Sequence, residues 1–227
     1  MKSCAKTVLP NGEATIINRS RWLGERTHES SLDRAVLCLT HLIRNNFPDK
    51  EPLRVVEVGP IDPMFPERHT APISLLSERH PNLSCVGFGI HQVTDEIRAS
   101  TLGRVPYIMG VLRLGELGDE SADKLIEFLG GTPNIIYGQH VFESSPGGSI
   151  SLPFGTVNPF QRAAEILAVN GYLVVDNYPG RPGQVSRPVM YAPVDAVRRL
   201  RNTFSYMYSE KEGIYVFQKS PESEENT

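Results

Sequence analysis

The stretch Arg54-Val-Val-Glu-Val-Gly-Pro-Ile-Asp-Pro63 constrains the chain more than any other. An apolar run meets an acid, Glu57, and then a glycine, Gly59, with helical periodicity further on. That is how the first strand of a doubly wound α/β sheet ends when the sheet binds a nucleotide. The turn itself departs from the pattern. A phosphate-cradling loop carries several glycines, because only glycine lets the backbone come that close to a ligand. Here Pro60, Ile61, Asp62 and Pro63 follow instead.

The rest of the chain repeats the strand–helix alternation. Ser31 caps a helix from Leu32 to about Asn46, whose apolar positions Ala35, Val36, Leu39, Leu42 and Ile43 recur at helical spacing. Pro48 and Pro52 close it. Val55 to Val58 form the first strand, and Ile73 to Arg79 a helix. Leu83 to Gly89 read as the second strand, Thr94 to Ser100 as a helix, and Pro106 to Gly110 as the third strand. A helix from Ser121 to Leu129 stops at Gly130-Gly131, and a fourth strand begins at Pro133. Asn158 caps a helix carrying Ala163 to Val169, and Gly171 to Asp176 are a fifth strand with a near-continuous apolar run. A helix is expected over Val194 to Leu200. Phe204–Tyr208 and Ile214–Gln218 flank Glu212-Gly213 and read as an antiparallel hairpin. Alternation implies a mostly parallel sheet covered by helices on both faces, with the hairpin adding an antiparallel strand at one edge. The expected domain map is an irregular segment over 1–30, one α/β domain over 31–219 and a disordered acidic tail over 220–227.

Bulk properties exclude several classes. A net charge of −3 gives no basic surface for nucleic acid. No apolar run approaches the ~20 residues that span a bilayer, and Met1 to Pro10 is too short and polar for a signal peptide. Cys4, Cys38 and Cys85 are an odd number without metal-ligand spacing, which points to reduced thiols in a cytoplasmic protein and to no metal site.

The ordered motifs Val-Val-Glu-Val-Gly59, Val-Gly-Phe-Gly89, Tyr-Ile-Met-Gly110, Ile-Ile-Tyr-Gly-Gln-His140 and Ala-Ala-Glu-Ile-Leu-Ala-Val-Asn-Gly-Tyr-Leu-Val-Val-Asp176 carry a resemblance. Over residues 32 to 219 the chain resembles the class I S-adenosylmethionine-dependent methyltransferases. The resemblance implies a Rossmann-like fold and S-adenosylmethionine as cofactor, with Glu57, Gly59, Asp62, Gly89, Gly110 and Gln139 in its contact positions. The departures form a degenerate cofactor motif. Pro60, Ile61 and Pro63 replace small residues. Gly89 replaces the acid that holds the ribose hydroxyls, and Val111 stands where an acid often lies near the adenine amine.

Each candidate has a second reading. Glu57 and Gly59 also fit a buried carboxylate satisfied by a helix N-terminus and a turn glycine; Asp62 also fits a helix N-cap. Gln139, His140 and Glu143 stand at the carboxyl end of the fourth strand, where open parallel sheets bind ligands. His140 is the candidate general base, with a pocket-shaping role as its alternative. Asp176, Asn177 and Tyr178 close the fifth strand, and Phe154 lies in a Gly/Pro-rich loop suited to cover an apolar substrate. Glu143, Phe154, Asp176, Asn177 and Tyr178 are therefore the substrate-side set. Methyl transfer to a small molecule is the first expectation, with no nucleic acid or membrane partner and a homodimer left open. The alternatives are a methyltransferase-like binding or regulatory subunit, or a non-methyl reaction such as cyclisation or elimination with His140 as base.

Overall fold

The computed structural model describes residues 31–47, 52–61, 70–110, 120–139, 159–176, 204–209 and 214–221. Within them the chain runs α1 (Ser31–Asn46), β1 (Leu53–Val58), α2 (Pro72–Arg79), β2 (Leu83–Gly89), α3 (Asp95–Leu102), β3 (Tyr107–Met109), α4 (Glu120–Leu129), β4 (Ile135–Gln139), α5 (Pro159–Ile166), β5 (Tyr172–Asp176), β6 (Phe204–Ser209) and β7 (Ile214–Lys219). The expected helix over Val194 to Leu200 and the segments 1–30 and 222–227 lie outside the described residues. The α5 helix stops at Ile166, three residues before the expected end. The chain turns there through Asn170, which has φ 60°, to bring Tyr172 into the sheet.

One sheet of seven strands has the order β3-β2-β1-β4-β5-β7-β6. β1 to β5 are mutually parallel, and β7 runs antiparallel to both β5 and β6. The sequence predicts the hairpin and its antiparallel sense. It does not say which hairpin strand joins the sheet body. The second one does, with Val174 opposite Val216. The reason is burial: Ile214, Val216 and Phe217 go under cover on both faces of β7, so β7 suits an interior place.

Strand alternation builds two cores. Val56, Val58, Val86, Phe88, Ile136, Leu173 and Val175 face Leu125 and Leu129 of α4 and Ala163 and Ala164 of α5. Leu53, Val55, Cys85, Ile135, Tyr137 and Val174 face Ala35, Leu39 and Leu42 of α1, Ile73 and Leu76 of α2, and Leu102 of α3. Each central strand therefore buries both faces. At about 25 cal/mol per Å² of apolar surface removed from water, this dominates the fold.

The amino edge of the sheet is tied to the ends of two helices. The Arg54 guanidinium Nε donates to Leu129 O at 3.1 Å, and the Lys219 ammonium donates to Leu167 O at 2.9 Å. Each satisfies a carbonyl left unpaired at or just beyond a helix C-terminus, where a cation also suits the helix dipole. Asn134 completes the edge, its Oδ1 accepting from Arg54 N at 3.0 Å. We expect Arg54→Ala to lose about 1 kcal/mol, read as a lower urea midpoint with unchanged slope. Among the described residues, no helix is long and apolar enough to cross a membrane.

Candidate functional site

In an open α/β sheet, ligands bind outside the carboxyl ends of the strands where the strand order reverses. Here that point lies between β1 and β4. The register shows what gathers there. Val58 stands opposite Phe88 on one side and Gly138 on the other, and Gln139 stands opposite Asp176. Gly89 stands opposite Met109, and Gly110 N donates to Gly89 O at 2.9 Å. Four neighbouring strands, β3, β2, β1 and β4, thus end on or within one residue of a glycine: Gly110, Gly89, Gly59 and Gly138. Gly59, Gly89, Gly110, Gln139 and Asp176 are expected site residues far apart in sequence, and the sheet brings them to one edge. Asp62, His140, Glu143, Phe154, Asn177 and Tyr178 lie outside the described residues, as do the side chains of Gln139 and Asp176.

The start of the loop after β1 is built from the turn chemistry. Gly59 has φ 69°, a left-handed conformation that other residues adopt only with strain. Its N–H donates to Phe88 O at 2.7 Å, continuing the ladder beyond the strand. Pro60 is buried and has no N–H. The first two residues of this loop therefore offer a ligand no free backbone donor.

Glu57 is an interior group, 3% exposed. It shares a face with Leu53 and Val55, toward α2. Its Oε2 accepts from Ile73 N at 2.8 Å, in the first turn of α2. Of its two sequence readings, this contact is the internal one. A carboxylate at a helix N-terminus meets an unpaired donor and the positive end of the dipole. Burial nevertheless dominates and pushes the Glu57 carboxyl up to about 8, against the lowering effect of the Ile73 hydrogen bond. The group is mostly neutral at pH 7. Cys85 lies on the same face, and burial, with the Glu57 charge second, pushes its thiol up to about 12. Cys38 and Cys85 are both buried, and Cys85 is an inert thiol.

Gly89 has a structural occupant beside it. Tyr107, at the start of β3, lies directly opposite Gly87. Its ring leans along the strand toward the carboxyl edge. A Cβ at Gly87 would lie 3.3 Å from the Tyr107 ring, and a Cβ at Gly89 would lie 2.7 Å from its hydroxyl oxygen. The hydroxyl donates to His91 O at 3.0 Å. Two glycines two positions apart on one strand face form the bed of an aromatic ring from the next strand. Sequence reasoning treats Gly89 as a lost acid and passes over Tyr107. The signal was there: Gly87 and Gly89 leave a bare groove on one strand face, beside a strand that begins with tyrosine.

Among the described residues, no group of three or more His, Cys, Asp or Glu side chains is placed to hold a metal. His80 half-buries beside Arg44 and Arg79, and burial first and those charges second hold its imidazole below the usual range.

No family model matches the chain, and no curated protein does. Solved structures do match. The MycE methyltransferase of the mycinamycin biosynthetic pathway, in complex with Mg and SAH, is 14% identical with a TM-score of 0.46, covering 88% of this chain and 51% of its own. An O-methyltransferase family protein from Burkholderia thailandensis is 13% identical with a TM-score of 0.47, covering 83% of this chain and 59% of its own. The fibrillarin pre-rRNA processing protein of Methanococcus jannaschii is 10% identical with a TM-score of 0.47, covering 95% and 82%. The chain spans between half and three-fifths of the length of the first two. Its own strand order establishes the fold: a Rossmann-like doubly wound sheet, closed by a C-terminal antiparallel pair.

Proposed function

We propose that this protein is an S-adenosylmethionine-dependent methyltransferase acting on a small molecule in the cleft at the carboxyl ends of the strands. The observation that carries this reading is the glycine-lined edge. Gly110, Gly89, Gly59 and Gly138 end four neighbouring strands around the point where the strand order reverses. A glycine puts no side chain of its own between the backbone and a nucleoside lying across strand ends, and at Gly89 the Tyr107 hydroxyl stands in that space. The motif order of the sequence points the same way.

S-adenosylmethionine, when bound, supplies an activated methyl on a sulfonium, so little acid–base chemistry is asked of the protein. The chain's task is to hold donor and nucleophile in line and to exclude water. Gly59 and Gly110 stay half-buried at the edge; both N–H groups are spent within the sheet, so these glycines offer close approach rather than a donor. Glu57, held by Ile73 N, fixes the end of β1 relative to α2 and so supports the cleft rather than lining it. On the substrate side, the reading assigns His140 as the base that takes a proton from a hydroxyl or amine nucleophile. It assigns Glu143, Phe154, Asp176, Asn177 and Tyr178 to binding the acceptor.

A second reading, a methyltransferase-like protein that transfers no methyl group, is favoured by specific observations. The Gly59 N–H is spent on Phe88 O and Pro60 has no N–H, so the start of the loop after β1 offers a cofactor no backbone donor. Calorimetric titration with S-adenosylmethionine and S-adenosylhomocysteine separates the two. Methyl transfer predicts micromolar dissociation constants for both. No heat and no thermal stabilisation at millimolar ligand would sink it and leave the second reading.

A further inference from the structure

We propose that Tyr107 takes over the hydroxyl-gripping role of the missing acid at the end of β2, so that this protein recognises a nucleoside sugar through a neutral phenol oxygen. The inference deepens the reading above and rests on it. In a doubly wound sheet, an acid near the end of the second strand accepts hydrogen bonds from a ribose. Here that position is Gly89, and its absent side chain leaves a space that Tyr107 enters. The hydroxyl oxygen stands 2.7 Å from where a Cβ at Gly89 would begin. Gly89 and Tyr107 thus form one unit, and an acid at 89 would force the phenol to shift.

The hydrogen-bond inventory fixes how the phenol acts. A backbone carbonyl only accepts, so the 3.0 Å contact with His91 O uses the single Tyr107 O–H. The oxygen keeps its lone pairs, and toward a ligand it can act only as an acceptor. It suits a donor such as a sugar hydroxyl and does nothing for a phosphate or carboxylate. Burial pushes the phenol up to about 12, so it stays neutral throughout the physiological range. A carboxylate has two oxygens and a charge, and it can hold both hydroxyls of a diol. The phenol offers one uncharged oxygen, so the grip is weaker and depends on fewer sugar hydroxyls. Tyr107 is accordingly a specificity-determining residue for the sugar.

The test is calorimetric titration of the wild type and of Tyr107→Phe with adenosine, S-adenosylhomocysteine and 2′,3′-dideoxyadenosine, with melting curves to confirm folding. The wild type is expected to bind adenosine several-fold more tightly than dideoxyadenosine. Tyr107→Phe is expected to lose adenosine and S-adenosylhomocysteine affinity by roughly 3- to 10-fold, while its dideoxyadenosine affinity stays at the wild-type value, so that the preference for the hydroxylated sugar disappears. A purely structural role would weaken all three ligands alike. If Tyr107→Phe keeps the preference for adenosine, or weakens all ligands equally, the assignment of Tyr107 is overturned and the methyltransferase reading stands. If the folded wild type binds none of them, that reading falls and the assignment falls with it.

Discussion

Gly89→Asp, the substitution that would write the expected acid into β2, is expected to destabilise the protein rather than restore a site. A Cβ at 89 would come within 2.7 Å of the Tyr107 hydroxyl oxygen, and that side chain is pinned by its hydrogen bond to His91 O. Gly89 is itself buried, so the new carboxylate would also lose solvent. Overpacking of this kind costs about 1–3 kcal/mol, which for a domain of this size is a melting temperature lower by roughly 3–10 °C. Residues in direct contact do not act additively. The double variant Gly89→Asp/Tyr107→Ala should therefore melt higher than the sum of the two single losses predicts. Strict additivity would show that the ring does not occupy the space beside Gly89. So would a Gly89→Asp variant that melts like the wild type and binds S-adenosylhomocysteine more tightly.

Glu57→Gln should change how stability depends on pH. The sign follows from the raised carboxyl. Unfolded, Glu57 ionises near 4.5; folded, it ionises near 8. Between those values the native state holds a proton that the unfolded state has released. Its contribution is complete below 4.5, falls by about 1.4 kcal/mol per pH unit as pH rises, and is gone above 8. Glutamine keeps an oxygen to accept from Ile73 N and never ionises. The variant should match or fall slightly below the wild type at pH 5. At pH 8 to 9 it should be more stable by several kcal/mol, measured as urea unfolding free energies across the range. Parallel pH profiles for the two proteins would mean that Glu57 is not held in a low-dielectric interior. Because β1 ends beside this contact, loss of the Ile73 bond in Glu57→Ala should also loosen the start of α2. Hydrogen exchange at Ile73 would report it.

Local patterns carried much of this protein. The helix and strand sequence from α1 to β5 follows from periodicity and from proline and glycine punctuation, because those signals act within a few residues. The hairpin was equally legible, since Glu212-Gly213 separates two strand-like runs. The candidate edge was legible too: strand ends are marked by glycines, and the rule that parallel sheets bind at carboxyl ends needs only strand direction.

What the sequence by itself determined, then, was the order and kind of its elements and which residues stand at strand ends. Only the tertiary structure decided what those residues face. Glu57 fits a ligand contact or an internal one equally well until α2 is placed against β1, because Ile73 N reaches it from 16 residues away. Gly89 looks like a lost acid until Tyr107 is seen lying over it, since the register between β2 and β3 sets that contact. The place of β7 between β5 and β6 likewise depends on which strands can bury both faces. Propensity and punctuation act along the chain, whereas burial, register and hydrogen-bond partners arise between distant segments and exist only once the chain has folded.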